Sequence, residues 1–274
     1  MTLYTSTVHV PRPRSRVWAT AGGSIAFAIG FPILLIVLWG VWMTLAPAQF
    51  FPTPAELAEA FVRTWVGPAF VTDVLPSLAR LALGIVLSIV VGIVAGALIG
   101  LNRWLRELLE PMLEFFRAVP PPVLIPIAVA IMGATDAMKV VVIVAGSVWP
   151  ILLNTIDGVR STDAVMTETS RSFALTPAER LRYLVLPAAS PRIMTGVRQA
   201  LSIALILMVI SELSYTSSGL GNKIVLFQRN YLIAEMWSGI LLLGLIGVLL
   251  ATIFGFVERR VLRWYHGIKE VERA

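Results

Sequence analysis

The chain has 274 residues, of which 57% are hydrophobic and only 14% are charged. Soluble globular domains carry roughly 25% charged residues, so this composition argues against a soluble protein and indicates that the chain lies mostly in a lipid bilayer. The formal net charge is +6, and the absence of cysteine excludes disulfides and thiolate metal sites.

Six apolar segments are each long enough to cross a bilayer as a helix. They are residues 21–45, 78–101, 112–132, 140–159, 195–216 and 236–257. The first segment follows several arginines, but it is too long for a signal peptide and has no evident cleavage site, so we interpret it as a retained span. The sequence therefore predicts an all-α, polytopic membrane domain over residues 21–257, with tails at 1–20 and 258–274.

The positive charges are distributed unevenly among the connecting segments. Most of the 22 lysines and arginines precede the first span, follow the second or the sixth, or lie between 160 and 198. Since lysine and arginine accumulate on the cytoplasmic side of membrane proteins, we place these segments and both termini in the cytoplasm. The charges are dispersed instead of forming a basic face, so we expect no nucleic-acid partner.

The loop at about 160–194 contains signals for two short helices. Thr176, Pro177 and Glu179 form a capping-box pattern that predicts a helix start, and we expect this helix to end before Pro187. Residues 163–174 also have helical periodicity. Their predicted common face carries Met166, Thr169, Ser170 and Phe173. Two such helices would form a knob that fits a groove on a partner, or a loop that rests on lipid headgroups.

The same loop carries a spaced motif. Glu168-Thr169-Ser170 is followed after three residues by Ala174, and after nine more by Leu184-Val185-Leu186-Pro187. This pattern resembles the EAA loop of ABC importer permeases, whose form is E-A-A-x3-G-x9-I-x-L-P. Ala174 stands where that family has glycine, which permits a left-handed turn, so we expect the bend to be remodelled around Leu175 and Thr176.

The likeness covers roughly residues 47–268 and is strongest to the permeases of the nitrate, sulfonate and taurine type. It rests further on residues 51–54, 77–80, 117–121 and 219–221. The resemblance implies a type I ABC importer-like fold in a bacterial inner membrane and a small, anionic organic solute. The implied partners are a second permease copy in a homodimer, a cytoplasmic ABC ATPase dimer and an external substrate-binding protein.

The resemblance also implies that the loop couples the spans to the ATPase. The implied coupling residues are Glu168, Thr169, Ser170, Phe173, Ala174, Leu184, Leu186 and Pro187. In this interpretation Glu168 pairs with a basic group of the ATPase, and the alternative is a solvated helical glutamate. The chain has no phosphate-binding G-x-x-x-x-G-K-[ST] motif, so we expect it to be a non-catalytic subunit without cofactor or metal.

Polar and helix-breaking residues inside the apolar segments are candidates for the translocation pathway. They are Arg117, Pro120, Pro121, Trp149, Asn154, Ser211 and Glu212. The prolines could instead kink the third segment, and for Asn154 we favour an interhelical hydrogen bond. Arg80 and Arg117 could attract an anion or extend to the interface, and for Arg80 we favour the interface. An ATP-independent channel or secondary transporter remains the alternative function.

Overall fold

The computed structural model describes residues 21–214 and 218–265, and all regular structure within these ranges is helical. The helices are α1 (Ala21–Leu45), α2 (Pro54–Trp65), α3 (Leu75–Leu101), α4 (Arg103–Ala118), α5 (Leu124–Met132), α6 (Asp136–Arg160), α7 (Ala164–Ser172), α8 (Pro177–Arg180), α9 (Leu186–Ser214), α10 (Leu220–Arg229) and α11 (Ile233–Val261). The all-α prediction is thus confirmed. The tail at 1–20, most of the tail at 258–274 and the predicted end of the fifth span at Thr216 lie outside the described residues.

Helix α1 has the bounds of the first predicted span, and the described residues up to Pro54 form one compact unit of the chain. The described residues from Ala55 onward form the other unit. Among the described residues, four helical stretches are long and apolar enough to cross a membrane, and a bent pair of helices would make a fifth. The four stretches are Phe70–Leu101, Asp136–Arg160, Pro177–Leu213 and Ile233–Val261. The count of six spans stays a prediction.

Helix α6 is the centre of the second unit, where it packs along α3 on one side and along α9 on the other. Glycines permit the close approach to α3. A Cβ atom built on Gly96 would lie 2.6 Å from the Cβ of Thr155 and 2.8 Å from the carbonyl oxygen of Leu152. Ser88 and Ser147 share a 2.7 Å hydrogen bond across the same contact. Small residues therefore bring these backbones together, as is common in membrane helix packing.

The expected helix end before Pro187 is wrong, because helical structure continues from Pro177 into α9. A five-residue π turn, Leu181–Val185, comes directly before Leu186 and Pro187, and the Leu186 N–H donates to the carbonyl of Leu181. Proline lacks an N–H and its ring crowds the carbonyl four residues earlier, and the wider π turn accommodates both effects. The π turn Phe70–Val74 has the same place before Leu75 and Pro76 at the start of α3.

The third predicted span, 112–132, is not one straight helix. It comprises the end of α4, a 3-10 turn at Pro121–Val123 and α5, and the two arms are bent by 82°. The bend follows from three successive prolines at 120–122, none of which can donate the backbone hydrogen bond of a continuing helix. Helix α4 begins at Arg103, nine residues before the predicted start of the span at 112. The Asn102 side chain caps it by accepting a hydrogen bond from the N–H of Leu105.

We predict that Gly96→Ala destabilises the protein whereas Gly244→Ala does not. In an open helix both changes would stabilise slightly. A Cβ on Gly244 would meet no described heavy atom within 4 Å, but a Cβ on Gly96 collides with α6. Such overpacking costs about 1–3 kcal/mol. Thermal unfolding of the two detergent-purified variants measures the difference, and equal unfolding temperatures would contradict the close α3–α6 contact.

Candidate functional site

The loop after α6 folds as a two-helix knob, which we define as residues 163–180. The Asp163 side chain caps α7 by accepting hydrogen bonds from the N–H groups of Val165 and Met166, at 2.6 and 3.3 Å. The predicted capping box of Thr176 and Glu179 starts α8. These caps satisfy N–H groups that would otherwise lack partners, so each short helix has a defined first turn.

Ala174 itself forms the turn between the two helices. Its φ is 53°, in the left-handed region, and the N–H of Leu175 donates to the carbonyl of Ser170 at 3.1 Å. The expected remodelling around Leu175 and Thr176 is therefore wrong. Alanine adopts the conformation usual for glycine, at a cost of about 1–2 kcal/mol, because the hydrogen bonds that close α7 require it there.

The knob exposes an apolar surface with one free carboxylate. Phe173 is 77% exposed, and Val165 and Met166 in the first turn of α7 are exposed as well. Glu168 is exposed and forms no ion pair with any described residue. Ser170 was predicted to share one helix face with Met166, Thr169 and Phe173. Unlike those three side chains it is buried, and its hydroxyl donates to the carbonyl of Thr167 at 2.7 Å.

The second half of the motif anchors the knob to the helix bundle. Leu186 packs against a core cluster that contains Val185 and Ala189. Leu184 and Pro187 are partly buried in the same stretch. The motif residues thus divide into two groups: those on α7 and the turn after it are mostly exposed, whereas those from Leu184 onward pack inward.

A cavity of about 410 Å³ lies beside the bend between α4 and α5. It is lined by Phe116, Arg117, Val119, Pro121, Gly146, Trp149, Pro150, Leu153, Asn154, Asp157, Gln199 and Ile203. The rings of Phe116 and Trp149 stack at a centroid distance of 5.5 Å and an angle of 10°. The structure thus brings together four of the predicted pathway residues, Arg117, Pro121, Trp149 and Asn154, while Pro120 lies in the bend outside this lining.

Two polar lining residues were not predicted. Asp157 follows Asn154 by three positions and Pro150 by seven, so helical spacing already places all three on one face of α6. Gln199 comes from α9, and no local pattern relates it to α6. The Asn154 amide donates to the carbonyl of Pro150 at 2.8 Å within its own helix, so the expected interhelical hydrogen bond is wrong.

Ser211 and Glu212 lie elsewhere on α9. Glu212 is thirteen residues beyond Gln199, or roughly 20 Å along the helix axis. Both residues are fully buried. The Ser77 hydroxyl and Arg80 Nη1 each donate to Glu212 at 2.7 Å, and the N–H of Gly221 donates to it at 3.0 Å. Glu212 does not line the cavity, and its buried contacts with Ser77, Arg80 and Gly221 indicate a structural role.

We call Arg80, Asp136, Lys139 and Glu212 the ion cluster. Arg80 is only 6% exposed and pairs with Glu212 at 2.7 Å and with Asp136 at 2.9 Å, while Lys139 pairs with Asp136 at 3.2 Å. The expectation that Arg80 extends to the interface is wrong, because two carboxylates hold its guanidinium inside the protein. The cluster joins the ends of α3, α6 and α9.

Gly219 makes this arrangement possible. Its φ is 124°, and a Cβ atom there would lie 2.5 Å from the Glu212 carboxyl carbon. Next to it, the N–H of Leu220 donates to the Ser77 hydroxyl at 2.9 Å. The short stretch Gly219-Leu220-Gly221 therefore lies against the buried carboxylate, to which Gly221 donates directly, while Leu220 donates to the Ser77 hydroxyl that itself donates to Glu212. No group of three metal-ligating side chains occurs in the described ranges.

Residues 88–265 match the family described as "Binding-protein-dependent transport system inner membrane component". The chain is similar to the taurine transport system permease protein TauC of Escherichia coli, at 28% identity over 84% of this chain and 88% of TauC. It is also similar to the bicarbonate transport system permease protein CmpB of Synechococcus elongatus, at 32% identity over 70% of this chain and 69% of CmpB.

Among solved structures, a chain of the MetNI methionine ABC transporter in an inward-facing conformation has the same fold, with a TM-score of 0.58. The sequences are 21% identical, and the match covers 69% of this chain and 94% of the other. At this identity the likeness concerns the fold alone.

We predict that Arg80→Met destabilises the protein by about 3–5 kcal/mol, because it leaves the Glu212 carboxylate buried without its charged partner. The double variant Arg80→Met/Glu212→Met should recover most of this loss. Arg103→Met is the control, since it removes an exposed pair with Glu107 worth less than about 1 kcal/mol. Thermal unfolding in detergent tests this order of stability among the three variants. A double variant less stable than Arg80→Met would contradict the assignment.

Proposed function

The chain belongs to the family of binding-protein-dependent transport system inner membrane components and is the permease subunit of an ABC importer, and we propose that the solute it moves is a small organic anion. In this proposal an external binding protein delivers the solute and a separate ATPase dimer hydrolyses ATP. The observation that carries the coupling role is the knob, which presents Phe173 and an unpaired Glu168 outside the bundle.

The surface chemistry of the knob supports docking to the ATPase. The exposed Phe173 and Met166 belong to the residue types that are enriched at protein interfaces relative to the rest of the surface. The second helix of the knob, α8, continues through the π turn into α9, so a displacement of the knob is transmitted to a span. Such an arrangement would have no evident use in a channel or secondary transporter that works without an ATPase.

The proposed solute class rests on the relatives and on the cavity. The names of TauC and CmpB refer to taurine and bicarbonate, which both carry an anionic group. In this chain Arg117 places a guanidinium, a good partner for sulfonate or carboxylate oxygens, on the wall of a cavity of suitable size for a small molecule. We therefore assign this cavity to the translocation pathway.

We further propose a homodimer of this permease with both termini in the cytoplasm. The distribution of lysine and arginine supports this orientation. The order of the helices agrees with it, since α6 and α9 run in opposite directions and leave the knob at one end of the bundle. The ion cluster and α10 then lie at the external end.

We predict that Phe173→Asp and Glu168→Lys each reduce the ATPase retained on the purified permease, by about tenfold or more if Phe173 is a central contact. Membrane insertion should be normal, since both side chains are exposed. Tyr231→Asp is the matched control, because Tyr231 is equally exposed, at 78%, but lies in the loop between α10 and α11. Full ATPase retention with normal uptake in both knob variants would refute the coupling role.

We also predict that cysteines introduced at Ser172 and Arg229 label from opposite sides of the membrane. Both positions are exposed, and the natural chain has no cysteine to interfere. An impermeant thiol reagent applied to intact cells should label Arg229→Cys, and it should label Ser172→Cys only after the membrane is opened. Labelling of Ser172→Cys in intact cells would reverse the proposed orientation.

A further inference from the structure

The cavity beside the bend carries one positive and one negative side chain, which are Arg117 on α4 and Asp157 on α6. Neither charge is held tightly by the protein. Arg117 lies 3.5 Å from Glu114, Asp157 lies 3.9 Å from Arg192, and all four side chains are mostly exposed. Exposed pairs of this kind contribute about 0–1 kcal/mol. Both charges are therefore available to a solute.

The rest of the lining adds uncharged polar groups and an aromatic wall. Gln199 makes no hydrogen bond with the residues that the structure describes, so its amide can donate or accept. Pro150 has no N–H to donate to the carbonyl of Gly146, and both residues line the cavity. These groups supply acceptors for a cationic group as well as donors for an anionic one.

An adjoining cavity of about 140 Å³ repeats this balance of charge. It shares Arg117, Leu153 and Asp157 with the larger cavity. Its remaining charged lining residues are Arg106, Glu110, Glu114 and Arg160. Acids and arginines are equal in number in both cavities, so neither has the net positive charge that would concentrate a simple anion such as nitrate.

We propose that the larger cavity binds a small zwitterion, with Arg117 holding the anionic group and Asp157 holding the ammonium group. The role of this cavity as a transport site rests on the proposed function. The proposal narrows the solute class from organic anions in general to compounds whose anionic group is accompanied by a positive charge. The two charged side chains on the cavity wall then act together. Arg117 binds the anionic group of the solute, and Asp157 favours solutes that also carry an ammonium group.

Two probes of nearly equal size separate a zwitterion from a plain anion. Taurine, 2-aminoethanesulfonate, carries both charges, whereas isethionate, 2-hydroxyethanesulfonate, has a hydroxyl in place of the ammonium. The experiment uses the purified permease–ATPase complex without binding protein and follows its thermal unfolding, since a bound ligand raises stability according to its concentration relative to Kd. We expect taurine to stabilise the complex at concentrations about tenfold lower than isethionate.

Substitutions of Asp157 and Arg117 test whether these two side chains cause the preference for taurine over isethionate. Asp157→Asn should respond to taurine and isethionate equally, and Arg117→Gln should lose the response to both. Glu107→Gln and Arg103→Gln are matched controls, because they remove the same charges from an exposed pair on α4 outside both cavities. No stabilisation by taurine, an equal response of the unmodified complex to both probes, or a taurine preference retained in Asp157→Asn would each overturn the proposal.

Uptake by the complete transporter in proteoliposomes separates this inference from the proposed function. The ratio of taurine to isethionate uptake should fall in Asp157→Asn relative to the unmodified protein, because the binding protein is the same in both and its own preference cancels. If taurine binds selectively to the complex but neither probe is taken up with ATP, the proposed solute class fails while the cavity assignment stands.

Discussion

A fully buried carboxylate is costly in a membrane protein unless a positive charge and hydrogen-bond donors surround it, and Glu212 meets that condition through Arg80. The two residues are 132 positions apart, so their pairing holds α3 and α9 in one relative position. Asp136 extends the pairing to the start of α6. The backbone at Gly219 closes the remaining side, and this set of contacts determines how the helix ends assemble.

Helix α9 connects this cluster to the other two regions. It begins at Leu186, in the second half of the EAA-like motif, carries Gln199 on the cavity wall, and ends near Glu212. Its 29 residues span about 44 Å. The π turn before Pro187 keeps the helical path unbroken from the knob, so the knob, cavity and ion cluster lie along one stiff element.

Much of the local structure could be read from the sequence. Five of the six apolar segments correspond to long helices because hydropathy and length act within one segment, and the capping box at Thr176 formed as expected because its partners are three residues apart. Prolines were harder to interpret. Pro187 was expected to end a helix, yet a π turn accommodates it, whereas the run at 120–122 produces a sharp bend. The difference is that Pro187 is a single proline preceded by a π turn, whereas at 120–122 three successive residues lack the N–H of a continuing helix.

The sequence by itself determined the membrane class of the chain, the approximate extent of its helices, and the motif that marks the knob. All of these depend on residues within a few turns of each other. Only the tertiary structure decided that Arg80 pairs inward, that Ala174 takes the left-handed conformation, and that Asp157 and Gln199 share a cavity with Arg117. These outcomes depend on contacts between distant segments, and the energies of a buried charge or a closed turn are defined only once those segments are packed.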